Sequence, residues 1–540
     1  MNRDETVALF LECEAKRGKA RAAALAGGKS KGEAGGMAHE AAKAHWNAWA
    51  EARLAERKAM EADGRWSAEK HPWGTLEAKN DETRAWMESA AADFSRCLFL
   101  ERGAEGSSKG AAPPVKTIQL KADRDYFERY IFPGCVSFKK AAFTGYTGFD
   151  HAIFSGYASF ESAIFTDRAS FENATFTGSA SFDRATFCGN AWFDHATFSG
   201  YAWFKCATFT GPASFDRATF SGDAGFDDAI FSGYASFRSA TFTGYARFES
   251  ATFTGYARFD RATFTGPTRF ESAAFKRHVR FASLTFSGDA SFENATFSGY
   301  AWFKSAIFQN STNYREAKFD KTASFTGIKV ERAFDMTGAV FKQVPAFNQA
   351  DFKQAPDLDD VKFPLPFFRG DAGLIARYRA IRRMAIQGAD YEPEQMAFKA
   401  ELRSRRWTTD KWWHWGTWFG LLYDLLADCG RSIVRPVLLW QASVVVFAVL
   451  YLRLADQPEG FSCGTPFVKA LFLSGRNALV LFSGGRDARI AQAYRCLYGG
   501  DGEPQIPDGV SFLEAFVQVP VSAVLIFLLL LAIKNRFKIK

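Results

Sequence analysis

Eight cysteines, seven histidines and a regular file of arginines are the side chains of this chain best placed to do chemistry. A metal site needs Cys or His in close pairs such as Cys-x-x-Cys, and the sequence has none, with its histidines scattered. Covalent catalysis needs a nucleophile, a base and oxyanion donors, and no recognisable order of these occurs. The expectation is a protein that is not an enzyme and takes no metal or cofactor. Arg247, Arg258, Arg269 and Arg280 recur every eleven residues, so their guanidinium groups could dock an acidic partner or lipid headgroups. The plainer reading of that file is a solvated charged face. Trp412, Trp413, Trp415 and Trp418, followed by Tyr423, carry rings that favour the headgroup layer of a bilayer. They predict an interfacial helix, with an aromatic cap on a soluble domain as the rival.

The element that positions the arginines is a repeat. From Phe132 to Phe363 a phenylalanine recurs at alternating steps of six and five residues. Of 43 beats, 39 are Phe, and Tyr314, Val330, Met336 and Leu358 hold the register at the others. Alanine usually stands two residues earlier, as in Ala251-Thr-Phe253 and Ala257-Arg-Phe259. In an extended Ala-x-Phe triplet both ends face one side and the centre faces the other. The centres are mostly Thr, Ser, Arg, Trp or Gly, which tolerate solvent. A helix would need apolar spacings of three and four, so the pattern predicts a solenoid of short stacked strands.

The stretches Ala251-Thr-Phe-Thr-Gly255 and Ala257-Arg-Phe-Asp-Arg261 resemble the pentapeptide-repeat family. The resemblance implies a right-handed quadrilateral β-helix in which four five-residue sides make one turn. Here every second side carries a sixth residue, Tyr256 in this example, expected as a corner bulge after a glycine at positive φ. Four sides then take 22 residues, giving about ten coils and a length of about 50 Å at the strand spacing. Eleven residues is half a coil, which sets Arg247 and Arg269 on one face and Arg258 and Arg280 on the opposite one. Some members of the family are thought to imitate DNA, which needs an acidic rod. Residues 132–363 carry 23 basic and 23 acidic side chains, which argues against that role and against nucleic-acid partners.

Composition divides the chain into a helical N-terminal region (1–102), a linker and cap (103–131), the β-helix (132–363), a basic and aromatic juxtamembrane region (364–435) and a two-span membrane domain (436–540). Nearly all of the net +8 lies beyond residue 363, where 22 basic face 15 acidic residues. Pro436–Leu452 and Phe516–Ile533 are apolar enough to span a bilayer, with a buried soluble helix as the rival reading. Lys534, Arg536, Lys538 and Lys540 follow the second segment, and Arg431 and Arg435 precede the first. By the positive-inside rule both termini and the rod are expected in the cytoplasm, at an inner membrane. The basic residues Lys469, Arg476, Arg486, Arg489 and Arg495 of the connecting loop oppose that orientation. Under it, Cys463 and Cys496 face an oxidising compartment and are the candidate disulfide, while Cys135, Cys188 and Cys206 stay reduced.

Pro466–Phe482 is apolar but interrupted by Lys469, Gly475, Arg476 and Asn477, which leaves a re-entrant helix or an amphipathic surface helix. Leu374, Tyr378, Ile381 and Ala385 keep helical spacing and start a helical pair expected to cap the rod. Trp46, Trp49, Ala50 and Leu54 fall on one helix face, and a further helix is expected over Glu82–Phe94. The function expected is a membrane-anchored scaffold or protein-binding module. Its partners would be membrane lipid, an unidentified protein and a second copy of the chain. The alternative is a two-span pore with the β-helix as sensor or gate.

Overall fold

The computed structural model describes residues 1–70, 76–101, 119–122, 127–365, 372–406, 415–455, 465–479, 488–499 and 506–537. It divides into two units: 1–364 with 383–393, and 365–382 with 394–540.

In the first unit the chain winds through four parallel sheets holding, among the described residues, 11, 11, 12 and 9 strands. Most strands are two residues long and pair with the strand 22 residues on, as Phe154 with Phe176 and Ala158 with Ala180. We number the sheets in chain order: the first contains Ile153–Phe154, the second Ala158–Ser159, the third Ile164–Phe165 and the fourth Ala169–Ser170. About ten coils lie between residues 131 and 352. Alanine and phenylalanine of each triplet point inward: Ala251 and Phe253 are buried, and Thr252 between them is half-exposed. Phe rings 22 residues apart stack face to face, Phe160 on Phe182 at 4.7 Å, and neighbouring columns meet edge-on, Phe160 against Phe171 at 5.4 Å and 88°. Each such contact adds about 0.5–1.5 kcal/mol to the burial of the rings.

The corners correct one expectation. Positive φ falls on non-glycine residues after the second- and fourth-sheet phenylalanines, such as His151 (57°), Ser162 (57°) and Arg184 (55°). Their N–H groups are held by the next coil, His151 donating to Glu172 O at 2.8 Å. Of the glycines on the six-residue sides, Gly145 has positive φ, but Gly200 does not. A Cβ on Gly200 would lie 2.7 Å from the carbonyl of Gly178 one coil below. Glycine is needed there because two backbones nearly touch, not because the corner is left-handed.

The stack starts before the strict period does. Ala92–Asp93 and Leu98–Glu101 are strands of the second and third sheets, and Phe94 and Phe99 stack on Phe138 (5.1 Å) and Phe143 (4.6 Å). The expected helix over Glu82–Phe94 therefore ends early, as α3 (Asp81–Ala90). Helices α1 (Arg3–Ala26) and α2 (Lys31–Ala62) each open with a capping box, Asn2/Glu5 and Ser30/Glu33. They close this end of the rod. Phe10 packs edge-on against Phe94 and Phe99, and Trp46 packs on Phe132 at 5.7 Å. The Trp46 indole donates to Ile131 O (2.8 Å); Asn47 donates to Arg129 O (3.0 Å) and accepts from Ile131 N–H (3.0 Å). At the far end Gln387 donates to Phe352 O at 3.3 Å, from the last turn of α4 (Ala372–Gly388).

In the second unit, α5 (Tyr391–Arg405) is tied to α6 (Trp415–Ala427) by a bidentate Arg403–Asp424 pair at 2.9 and 3.0 Å. Helix α7 (Val434–Arg453) and the continuous stretch Asp508–Lys534 are long and apolar enough to cross a membrane. That stretch comprises α10 (Asp508–Phe512), a π turn (Leu513–Gln518) and most of α11 (Val519–Phe537). Only 22% and 28% of their most apolar windows is buried within the chain, whereas the core helix of a soluble domain is mostly buried. Leu438, Val446, Phe527 and Leu530 point outward. Helix α8 (Pro466–Ala478) runs back along α7: Ala470 and Leu473 cluster with Ala448 and Tyr451, Ser474 donates to Val444 O (2.7 Å), and Trp440 donates to Ala478 O (3.2 Å). Gln518 of the π turn donates to Ser474 O at 2.7 Å, and Tyr498 of α9 (Ala488–Tyr498) to Tyr451 O at 3.1 Å.

Candidate functional site

The inward Ala and Phe of every triplet are spent on the core, so recognition by the rod falls to strand centres and corners. Arg247 pairs in register with Arg269 on the second sheet and Arg258 with Arg280 on the fourth, which in chain order is the opposite face. The four side chains do not form a bare cationic patch. Arg247 meets Asp227 at 3.4 Å, and Arg269 meets Glu249 at 3.2 Å and Glu271 at 3.8 Å. Arg258 and Arg280 share Asp260, at 2.6 and 3.3 Å. Four guanidinium groups thus face four carboxylates, and the local charge sums to zero. Arg247 and Arg269 also lie over aromatic rings, Trp203 at 5.1 Å and Tyr245 at 5.2 Å. Burial pushes the Asp227 carboxyl above its ordinary range, with Arg247 pulling it back.

What joins the fourth-sheet arginines is an aromatic ladder. Tyr234 stacks on Tyr256 (5.8 Å, 5°), and His278 meets Tyr300 at 5.0 Å and Trp302 at 5.6 Å. Arg258 is within electrostatic reach of Tyr234, and Arg280 of Tyr256. Tyr234 and Tyr300 remain exposed. Sequence reasoning passed over this ladder, although its signal was present: Tyr234, Tyr256, His278 and Tyr300 are the sixth residues of successive fourth-sheet sides, 22 apart. By contrast, the outward centres of the first sheet from Thr175 to Thr285 are all threonine.

Of the expected interfacial residues, Trp412 and Trp413 lie outside the described residues, as does the side chain of Trp415, which opens α6. Trp418 is exposed and continues into Leu421, Leu422 and Leu425, a stripe at helical spacing with up to 66% exposure. The flank of α6 beside this stripe buries Thr417 and Asp424. Cys496 is disulfide-bonded, and its expected partner Cys463 lies outside the described residues. Cys135, Cys188 and Cys206 are free thiols. Among the described residues no group of three or more His, Cys, Asp or Glu could hold a metal.

Fold and surface together define a four-sided parallel β-solenoid with a polar exterior and a phenylalanine core. The pentapeptide-repeat family model matches residues 127–174, 160–205, 207–252, 248–296 and 281–329, as nine copies, so residues 127–329 of this rod are pentapeptide repeats. Comparison with curated proteins and with solved structures finds no match.

Proposed function

We propose that this protein is a membrane-anchored, non-enzymatic scaffold whose right-handed solenoid presents the fourth-sheet ladder to a protein partner. The observation that carries this reading is the run of Tyr234, Tyr256, Arg258, His278, Arg280, Tyr300 and Trp302 along one face. Tyr, Trp and Arg dominate the energetics of protein interfaces, and here the backbone holds them rigidly. The neutral charge balance of the rod favours a mixed polar and aromatic partner surface over a polyacid or nucleic acid. Anchoring is supported by the outward apolar faces of α7 and α11 and by the exposed stripe of α6, which suits a helix lying in the headgroup layer. The basic tail of Lys534, Arg536, Lys538 and Lys540 favours a cytoplasmic rod.

The test is crosslinking in the native host with a photoreactive residue at Tyr300. A discrete adduct should form with the full chain and be lost in Arg258→Ala/Trp302→Ala, with the solenoid still folded. An adduct of equal yield in that variant would reject the ladder as the binding face. The pore reading has one observation in its favour: α8 runs between the two apolar helices along α7, the order of elements in a two-span channel. Ion-selective openings in planar bilayers holding purified protein would replace the scaffold reading, and a silent bilayer would remove the pore.

A further inference from the structure

The apolar stretch Asp508–Lys534 holds one carboxyl group beyond Asp508 itself, that of Glu514, and it stands in the π turn. Glu514 accepts a hydrogen bond from the Tyr494 hydroxyl of α9 at 2.5 Å. Four residues on, the fully buried Gln518 donates to Ser474 O and Oγ of α8 at 2.7 and 2.8 Å and accepts from the Tyr451 hydroxyl of α7. Asn477 of α8 donates to the same hydroxyl at 3.5 Å. Two polar side chains of one π turn thus tie three helices together. We propose that Glu514 is a proton-binding site, and that a proton taken up there from the aqueous side loosens α9 from the π turn. The inference rests on reading Asp508–Lys534 as a membrane span, and adds to that anchor a ligand and a moving part.

An ionisable residue within a span is costly to keep and marks ion and proton sites. Glu514 lies about 9 Å along the helix from Asp508, in a stretch of about 40 Å against a hydrocarbon layer of about 30 Å. That places it at the edge of the layer, where protons from water can reach it. Its bond to Tyr494 is charge-assisted while the carboxylate is ionised, about twice as strong as a neutral one. A proton on the carboxyl group removes that charge and leaves the phenol a weaker acceptor. The π turn supplies the second state. Single π turns inside α-helices are frequent at functional sites, and relaxing this one to α geometry would shift Glu514 relative to Gln518. Among the described residues, the charged and titratable groups facing Glu514 are Arg476 of α8, Tyr494 and Tyr498 of α9, and Tyr451 of α7. Tyrosine and arginine ordinarily titrate at about pH 10 and above, so Glu514 is the member of this group that changes charge in acid. Ile490, Ala493 and Leu497 keep the rest of α9 packed on Ala448 and Leu473, so the loosening is local.

The experiment is hydrogen exchange of the full chain in lipid nanodiscs at pH 8 and pH 4, corrected for the intrinsic rates. Protection of α9 should fall about tenfold at pH 4 in wild type, the scale of one charge-assisted bond made neutral. Glu514→Gln, neutral at both pH values, should show the low protection at each. Tyr494→Phe removes the donor and should erase the contrast as well, which decides the matter if Glu514→Gln fails to fold. A bond with only a structural role would weaken both variants while wild type showed no contrast. Equal protection of wild type at the two pH values therefore overturns the proposal, as does a wild-type contrast that survives in folded Glu514→Gln or Tyr494→Phe. Carbonate extraction of native membranes is read in parallel. Protein that stays in the pellet but shows no contrast fails the proton site alone, and protein washed into the supernatant fails the span with it.

Discussion

Within a solenoid triplet, neighbouring residues have opposite environments. Phe253 is buried and stacked on Phe231 and Phe275 at 4.8 and 4.9 Å, while Thr252 looks outward. Phe253→Asp should lower stability by several kcal/mol, through lost ring burial and an unpaired charge in the stack. Thr252→Asp should shift the melting temperature little, and equal losses at both sites would refute the inward assignment. Asp183 offers a second test. Burial raises its carboxyl above the ordinary value, although it accepts from Lys205 N–H at 2.8 Å. A folded-state pKa above the unfolded one disfavours the carboxylate, so the penalty exists at neutral pH and vanishes once both states are protonated, below about pH 4. Asp183→Asn keeps an acceptor oxygen and should melt slightly higher than wild type at pH 7, with the gain fading toward pH 4. A gain independent of pH would sink this account.

At the scale of elements, the corner and the cap decide whether coils can stack. Gly200→Ala would force a Cβ against the Gly178 carbonyl carbon and oxygen at 2.7 Å, where neither backbone can yield cheaply. The expected loss is about 1–3 kcal/mol, like other cases of overpacking. Alanine at Gly18, which has nothing within 4 Å, should be harmless or stabilising in its helix. Chemical denaturation of the two variants checks the contrast. The N-terminal helices act by covering an open sheet edge, which otherwise offers unpaired N–H and C=O groups. Asn47→Ala strips the partner from both Arg129 O and Ile131 N–H and should cost about 1–3 kcal/mol. Hydrogen exchange should show the loss first in the coil around Ile131. Protection unchanged there would mean that the cap is held by Trp46 and Phe10 alone.

For the whole molecule the open question is orientation, and charge and cysteine chemistry bear on it together. With a cytoplasmic rod, a reporter enzyme active only in the periplasm should be silent after Lys540 and active near Gly500. Non-reducing mass mapping with thiols blocked at lysis should find Cys463 joined to Cys496 and Cys135, Cys188 and Cys206 alkylated. Free thiols at Cys463 and Cys496, or the opposite reporter pattern, would overturn the topology.

The solenoid was legible in the sequence because its information is local and repeated. A period of eleven with inward Ala and Phe calls for short stacked strands, to which the pentapeptide resemblance adds the four sides, and 43 beats leave no room for slippage. The two apolar segments were legible for a related reason, since their length and composition alone set whether a bilayer can hold them. What needed the tertiary structure were contacts between residues far apart in the chain. The glycines became points of backbone approach only once Gly178 lay beneath Gly200. Asn47 and Trp46 became a cap only when α2 met a strand more than 80 residues away. The four arginines lost their bare charge when carboxylates up to 20 residues distant folded beside them. A periodic sequence determines its own backbone because each coil sees the same neighbours; its ends and its surface depend on partners that no local pattern encodes.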